Sequence, residues 1–327
     1  MSGNRIAVLG AGAWGTALAA SFVRAGRSCM LWGRDAETVT AIDERHRNPR
    51  YLGDIALPGD LAATTGLDAA LAGVGVIVLA VPAQTLSAFL AGMLDKAAPD
   101  AVFVSTAKGI DRATGQTMSE IIDAIAGRDR SAVLSGPSFA ADVAAGLPTA
   151  VTVAAHDLER AKSLAEILSS RTLRCYAADD LIGVELGGAL KNVLAIAAGI
   201  VHGAGLGASA VAALTTRGFA ELQRVAAALG ARPETLAGLS GLGDLILTCG
   251  SEKSRNFAYG AALARGEDLA HRPLAEGVFT ASVAAKLARE HGLDAPIISA
   301  VDAILAGSIT IGEAVEGLMS RPLKTET

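Results

Sequence analysis

A short apolar run, Ile6 to Leu9, is followed at once by Gly10, Gly12 and Gly15 in a GxGxxG spacing, and then by an alanine-rich segment. The glycines fall where a strand must end and a helix begin, so the first residues read as the strand, turn and helix of a dinucleotide-binding unit. Gly10 permits the tight turn. Gly12 lets backbone N–H groups approach a pyrophosphate, and Gly15 lets the helix pack close on the sheet. The helix N-terminus adds unpaired N–H donors and the positive end of its dipole, so the anion is held without cationic side chains. A chain with 37 glycines matches such a spacing somewhere by chance, and it is the strand-to-helix context that carries the reading. Trp14 interrupts the small residues; its ring lies either against the cofactor or over the loop as a cover.

The alternation that a dinucleotide fold requires continues through the first half. Strands are expected over 5–9, 28–32, 76–81, 101–105, 131–134, 150–154 and 172–175, with amphipathic helices over 15–25, 84–94, 114–125 and 157–169. This predicts an α/β fold, a Rossmann-like doubly wound, mostly parallel sheet. From about residue 180 the β-branched runs stop. Helical segments follow over 181–200, 209–229, 232–236, 244–249, 256–265, 280–291, 296–306 and 311–318. A length of 327 residues suits two domains, expected as a dinucleotide-binding domain over 1–180 and an all-helical substrate-binding and catalytic domain over 181–327. The apolar fraction is 51% but only 4% is aromatic, so both cores must be filled by Ala, Leu, Val and Ile.

Composition also removes several function classes. Net charge is −5 with no basic run, which argues against nucleic acid as a partner. Cys29, Cys175 and Cys249 form no CxxC pair and read as reduced thiols; the five histidines show no ligand spacing, so no metal is expected. The N-terminus enters its first strand without a leader pattern. Residues 192–214 are long and apolar enough to suggest a membrane span, but the glycines among them favour two buried helices around a turn.

Candidate chemistry lies where strands end, because ligands of open α/β sheets bind beyond the carboxyl ends of the strands. After the second strand comes Arg34, then Asp35. An arginine there suits a 2′-phosphate and favours NADPH over NADH, the alternative being a solvated Arg beside Asp35. Lys108 follows a buried strand among small apolar neighbours and reads as a ligand contact. The Gly136-Pro137-Ser138 turn opens a short helix with Ser138 as N-cap, offering donors to an anion or serving as a structural cap alone. Lys191 and Asn192 sit inside an apolar helix; a lysine there is either a proton carrier with lowered pKa or a salt-bridged structural group. Asp244 and Thr248 share one helix face, and Ser254, Arg255 and Asn256 form a polar cluster able to clamp a phosphate.

The segments GAGAWGTALA, LWGRD, VPAQ, STAKGI, SGPSFA, GVELGGALKNVLAI, GLGDLILTC and EKSRNFAYG, with AEG at 275–277, together resemble NAD(P)-dependent glycerol-3-phosphate dehydrogenase over nearly the whole chain. The resemblance implies reversible reduction of dihydroxyacetone phosphate to sn-glycerol 3-phosphate by NADPH or NADH, for glycerophospholipid synthesis, in a cytoplasmic homodimer. It implies that Lys191 transfers the proton, aided by Lys108 and Asp244. It further implies substrate contacts at Lys108, Gly136, Ser138, Lys191, Asp244, Ser254, Arg255 and Asn256. Cofactor contacts follow at Gly10, Gly12, Ala13, Trp14, Gly15, Arg34, Lys108, Ala140, Arg255, Leu274 and Glu276. The competing readings are a related β-hydroxyacid or ketopantoate-type dehydrogenase and a non-catalytic NADPH-binding protein.

Overall fold

The structure, a computed structural model, describes residues 5–322. In its first half β1 (Ile6–Leu9), α1 (Ala13–Arg24), β2 (Cys29–Trp32), α2 (Ala36–Arg45), α3 (Pro49–Leu52) and β3 (Ala62–Thr64) lead to α4 (Leu67–Leu71) and β4 (Val76–Leu79). Then come α5 (Leu86–Ala91), β5 (Val102–Ser105), α6 (Met118–Ala126), β6 (Ser131–Ser135), α7 (Ala140–Ala144), β7 (Thr149–Ala155), α8 (Leu158–Leu168) and β8 (Leu173–Ala178). The strands form one sheet in the order β3-β2-β1-β4-β5-β6-β7-β8, parallel throughout except where β7 runs against β6. The order reverses between β1 and β4, which opens the crevice where such sheets bind ligands.

Alternate residues of each strand feed opposite faces. Ile6 and Val8 join the core under α1, while Ala7 and Leu9 join Ile77, Leu79 and Phe103 on the other side. A strand buried on both faces has to be apolar at every position, as β1 and β4 are. At Gly10 the backbone takes φ +123°, and a Cβ there would run into the Ala80 carbonyl beyond β4; a Cβ on Gly15 would run into the carbonyl of Gly10. The glycine spacing is therefore required by the close approach of β1, α1 and the end of β4.

The second half is helical: α9 (Leu181–Gly203), α10 (Ala208–Ala228), α11 (Pro233–Leu236), a π-type turn (Leu239–Gly243), α12 (Asp244–Cys249), α13 (Arg255–Ala264), α14 (Glu276–Glu290), α15 (Pro296–Leu305) and α16 (Ile311–Met319). α9 is the axis of this half. It is apolar on every side because other elements surround it, and its membrane-like length is accounted for by burial inside the protein. Its approach to α13 is close: a Cβ on Gly260 would collide with the Ile196 carbonyl, and one on Gly199 with the Phe257 carbonyl.

Four local expectations need correction. β3 is absent from the sequence reading because Ala-Ala-Thr carries little strand propensity; pairing with β2 creates it. The helix expected over 84–94 is broken into a 3₁₀ turn, α5 and a second 3₁₀ turn, with Gly92 closing α5. The helix expected from residue 114 starts only at Met118, where Thr117 and Glu120 close a capping box. Of the two buried helices expected over 192–214, only α9 is buried; the first turns of α10 are largely exposed.

Candidate functional site

The glycine loop fits a dinucleotide. Gly12 is the N-cap of α1, and a Cβ built on it meets no heavy atom within 4 Å, so the loop offers an open cradle at a helix N-terminus. Ala13 opens the helix, and Trp14 lies half-buried against the core rather than wholly over the loop. Arg34 is exposed one residue beyond the end of β2, after the buried Gly33. Asp35 beside it accepts from Thr38 N at 3.0 Å as the N-cap of α2, which commits one of its oxygens. At the far end of the crevice, Glu276 begins α14. Its Oε1 accepts from Ala83 N at 3.3 Å, while its Oε2 is buried without a partner, and Gly109 is open to it for lack of a Cβ. Burial raises the Glu276 carboxyl above the usual range. Ala140 lies half-buried at the start of α7 and Leu274 is exposed before α14.

Beyond β5 and β6 the predicted lysines and carboxylate come together. Asp244, on the first turn of α12, is 1% exposed and sits between two ammoniums: Lys191 Nζ donates to Oδ1 at 2.9 Å and Lys108 Nζ to Oδ2 at 2.6 Å. Lys191 Nζ also donates to Thr248 Oγ1 at 2.7 Å, and Lys108 Nζ to the Gly136 carbonyl at 3.0 Å. Burial pushes Lys191 down to about 8, against the attraction of Asp244, and the Lys108 charge pushes the same way as burial. Burial alone would raise Asp244, but Lys108 and Lys191 outweigh it and hold the carboxylate below its ordinary range. Two cations over one buried anion leave a net positive pocket floor, in which one ammonium is poised to lose its proton.

A second chain of contacts frames this cluster. Asn192 Nδ2 donates to the Lys108 carbonyl at 2.8 Å, Asn256 Nδ2 to Asn192 Oδ1 at 2.9 Å, and Gly277 N to Asn256 Oδ1 at 2.9 Å. The amide of Asn256 thus joins α9, α13 and α14, and the second N–H of its Nδ2 is not used in these contacts. Ser254 caps α13 by accepting from Phe257 N at 3.3 Å. Arg255, exposed at the first position of that ten-residue helix, is left facing outward beside the helix N-terminus. The expectation that Ser138 caps a helix is corrected: Phe139 is the N-cap of α7, and Ser138 Oγ instead donates to the Gly136 carbonyl at 3.0 Å. The Gly136 carbonyl therefore gathers both Lys108 and Ser138.

Sequence reasoning passed over three residues that the fold brings into play. Glu185, fully buried on α9, accepts from Ser119 N at 2.8 Å and from the Ser119 hydroxyl at the start of α6. Asn48 reaches the glycine loop, donating to the Ala11 carbonyl at 3.1 Å and to Thr16 Oγ1 at 2.9 Å. Arg50 reaches Asp35. Only the Asn48-Pro49 pair carried a signal, as a helix start.

Comparison with known proteins shows the family to which the chain is similar over nearly its whole length. The profile of the NAD-dependent glycerol-3-phosphate dehydrogenase N-terminus matches residues 5–161, and that of the same enzyme's C-terminus matches residues 180–316. A glycerol-3-phosphate dehydrogenase [NAD(P)+] of Mesorhizobium japonicum is 59% identical over 323 residues, covering 99% of this chain and 94% of the relative. The crystal structure of glycerol-3-phosphate dehydrogenase from Coxiella burnetii superposes with a TM-score of 0.91 at 38% identity, covering 98% of this chain and 99% of that one. A ketopantoate reductase from Ralstonia eutropha reaches a TM-score of 0.61 at 16% identity, over 92% of this chain and 97% of that one, a likeness of fold alone.

Proposed function

The chain belongs to the NAD-dependent glycerol-3-phosphate dehydrogenase family, and we propose that the Lys191–Asp244–Lys108 cluster is where its chemistry is done. The activity is reversible reduction of dihydroxyacetone phosphate to sn-glycerol 3-phosphate with NADPH or NADH. A nicotinamide cofactor, when bound, would supply hydride for the ketone carbon; holding the substrate and moving the proton fall to the residues of this chain. Lys191, as ammonium, gives its proton to the ketone oxygen as that oxygen gains charge; in oxidation the neutral amine takes the proton back. Asp244 and Thr248 hold Nζ in place, and Lys108 adds positive charge beside the forming alkoxide. Arg255 and the N-terminus of α13 face the phosphate, with Ser254 and Asn256 fixing that helix end. Ser138 and Gly136 line the opposite wall.

The observation that carries this reading is a lysine 5% exposed whose ammonium is divided between a carboxylate and a hydroxyl, with a pKa brought down to about 8. We read the cofactor as lying along Gly10, Gly12, Ala13, Trp14, Gly15 and Arg34 toward Ala140, Leu274 and Glu276, with NADPH favoured. We read residues 1–180 as its domain and 181–327 as the substrate domain. The resemblance supports a cytoplasmic homodimer that supplies the glycerol backbone of phospholipids. Steady-state reduction of dihydroxyacetone phosphate tests the site. Lys191→Ala and Lys191→Met should lower kcat by about 10²- to 10⁴-fold, the worth of a positioned acid, while NADPH still binds. Near-normal turnover in either folded variant would remove Lys191 from its role.

A further inference from the structure

The end of the crevice away from the lysine cluster holds a cation that the sequence reading did not consider. α3 is a single turn whose position is fixed from both sides. Asn48, fully buried at its N-cap, ties it to the glycine loop through the Ala11 carbonyl and Thr16. Arg47 pairs in a β-bridge with Ala56, and Leu52 is buried behind it. The residue between them, Arg50, has a side chain 64% exposed, with Nη1 3.7 Å from Asp35 Oδ2 and the guanidinium 5.4 Å from the Tyr51 ring centre.

Asp35 directly follows Arg34 at the end of β2, the place where such folds meet the adenosine ribose. One Asp35 oxygen is engaged by Thr38, and the carboxylate is flanked by Arg34 in sequence and by Arg50 in space. Arg50 stands beside the capping carboxylate and Arg34 is exposed next to it in sequence, so two guanidiniums serve this turn, with the Asp35 carboxylate committed to Thr38 and Glu37 following in the first turn of α2. The pair of guanidiniums suits a ribose bearing a phosphomonoester better than one bearing a free hydroxyl.

We propose that Arg50 is a second determinant of cofactor choice, binding the 2′-phosphate of NADPH together with Arg34. The proposal rests on the reading that the Gly10 loop holds the dinucleotide. Because Asn48 anchors α3 to that loop, the backbone that carries Arg50 is fixed relative to the pyrophosphate cradle, and only the side chain has to settle when the phosphate arrives.

Direct titration of NADPH and NADH into the full chain tests this, using Arg50→Gln, Asp35→Asn, the double variant and, separately, Arg34→Gln. Arg50→Gln is expected to weaken NADPH about tenfold and NADH by less than about twofold, the scale of one charge-assisted contact. The same NADPH loss is expected in the Asp35→Asn background, where Asn still caps α2. Equal losses for both dinucleotides would overturn the proposal, as would an NADPH loss that vanishes once Asp35 is neutral, since Arg50 would then only offset that carboxylate. If Arg34→Gln shows no selectivity while Arg50→Gln does, the Arg34 reading fails and the Arg50 one stands. An unaltered chain that binds neither dinucleotide overturns both.

Discussion

Lys191 shows how burial makes a reagent from an ordinary side chain. An exposed lysine stays charged well above neutral pH, whereas this one, enclosed by α9 and α12, is brought down to about 8 because water no longer supports its charge. The protonated form donates, so ketone reduction should proceed at full rate below about pH 8 and fall roughly tenfold per pH unit above it. Alcohol oxidation needs the neutral amine and should rise with pH up to about 8 and then level off. Asp244→Asn removes the charge that favours the ammonium, so both limbs should move to lower pH. Rate profiles measured in the two directions check this, and limbs that stay in place would assign the ionisation to another group. Lys191 was legible in the sequence as a charge stranded in an apolar helix, and Asp244 as a carboxylate sharing a helix face with Thr248. Their contact was not, since 53 positions separate them. The N-cap role expected of Ser138 falls to Phe139 for a related reason: a polar residue near a turn looks the same in sequence whether it caps the helix or bonds back to the preceding carbonyl.

Elements are joined across the two halves by buried polar groups. Glu185 of α9 accepts two hydrogen bonds from Ser119 at the start of α6, and burial pushes its carboxyl up to about 7 from the ordinary 4.5. Its folded pKa lies above its unfolded one, so the stability from the protonated carboxyl is fully present below about pH 4.5 and is lost as pH rises through about 7. The loss amounts to roughly 3 kcal/mol. Glu185→Gln keeps an acceptor without a charge, so its melting temperature should rise relative to the unaltered protein between pH 5 and pH 8. A constant difference across that range would contradict the account. The α9–α13 contact acts on the site through packing. Gly260→Ala forces the helices apart, at about 1–3 kcal/mol for overpacking, and draws Asn256 away from Asn192. Thermal melts should show the lost stability, and the KM for dihydroxyacetone phosphate should rise more than kcat falls. An unchanged KM would mean that the Asn192–Asn256 contact does not position Arg255.

At the scale of the whole molecule, the alternation of strands and helices and its end near residue 180 were readable, because each strand buried on both faces must be apolar throughout and each helix at the surface carries one apolar stripe. The observed sheet ends at Ala178 and the helices begin at Leu181. What local pattern does not encode is orientation. β7 runs against β6 although its composition resembles that of its parallel neighbours, because strand direction depends on the path of the chain between them, here through α7 and the turns at Gly136 and Gly146, and not on the residues of the strand. The sequence by itself determined the glycine cradle, the two kinds of architecture and the residue types needed for a hydride-accepting, phosphate-bearing substrate, because turn, period and misplaced charge are local properties. Tertiary structure alone decided that Asp244 lies between Lys108 and Lys191, that Asn256 bridges Asn192 and Gly277, and that Arg50 stands beside Asp35 in the turn after β2. Those outcomes depend on distances between segments far apart in the chain, which only packing sets.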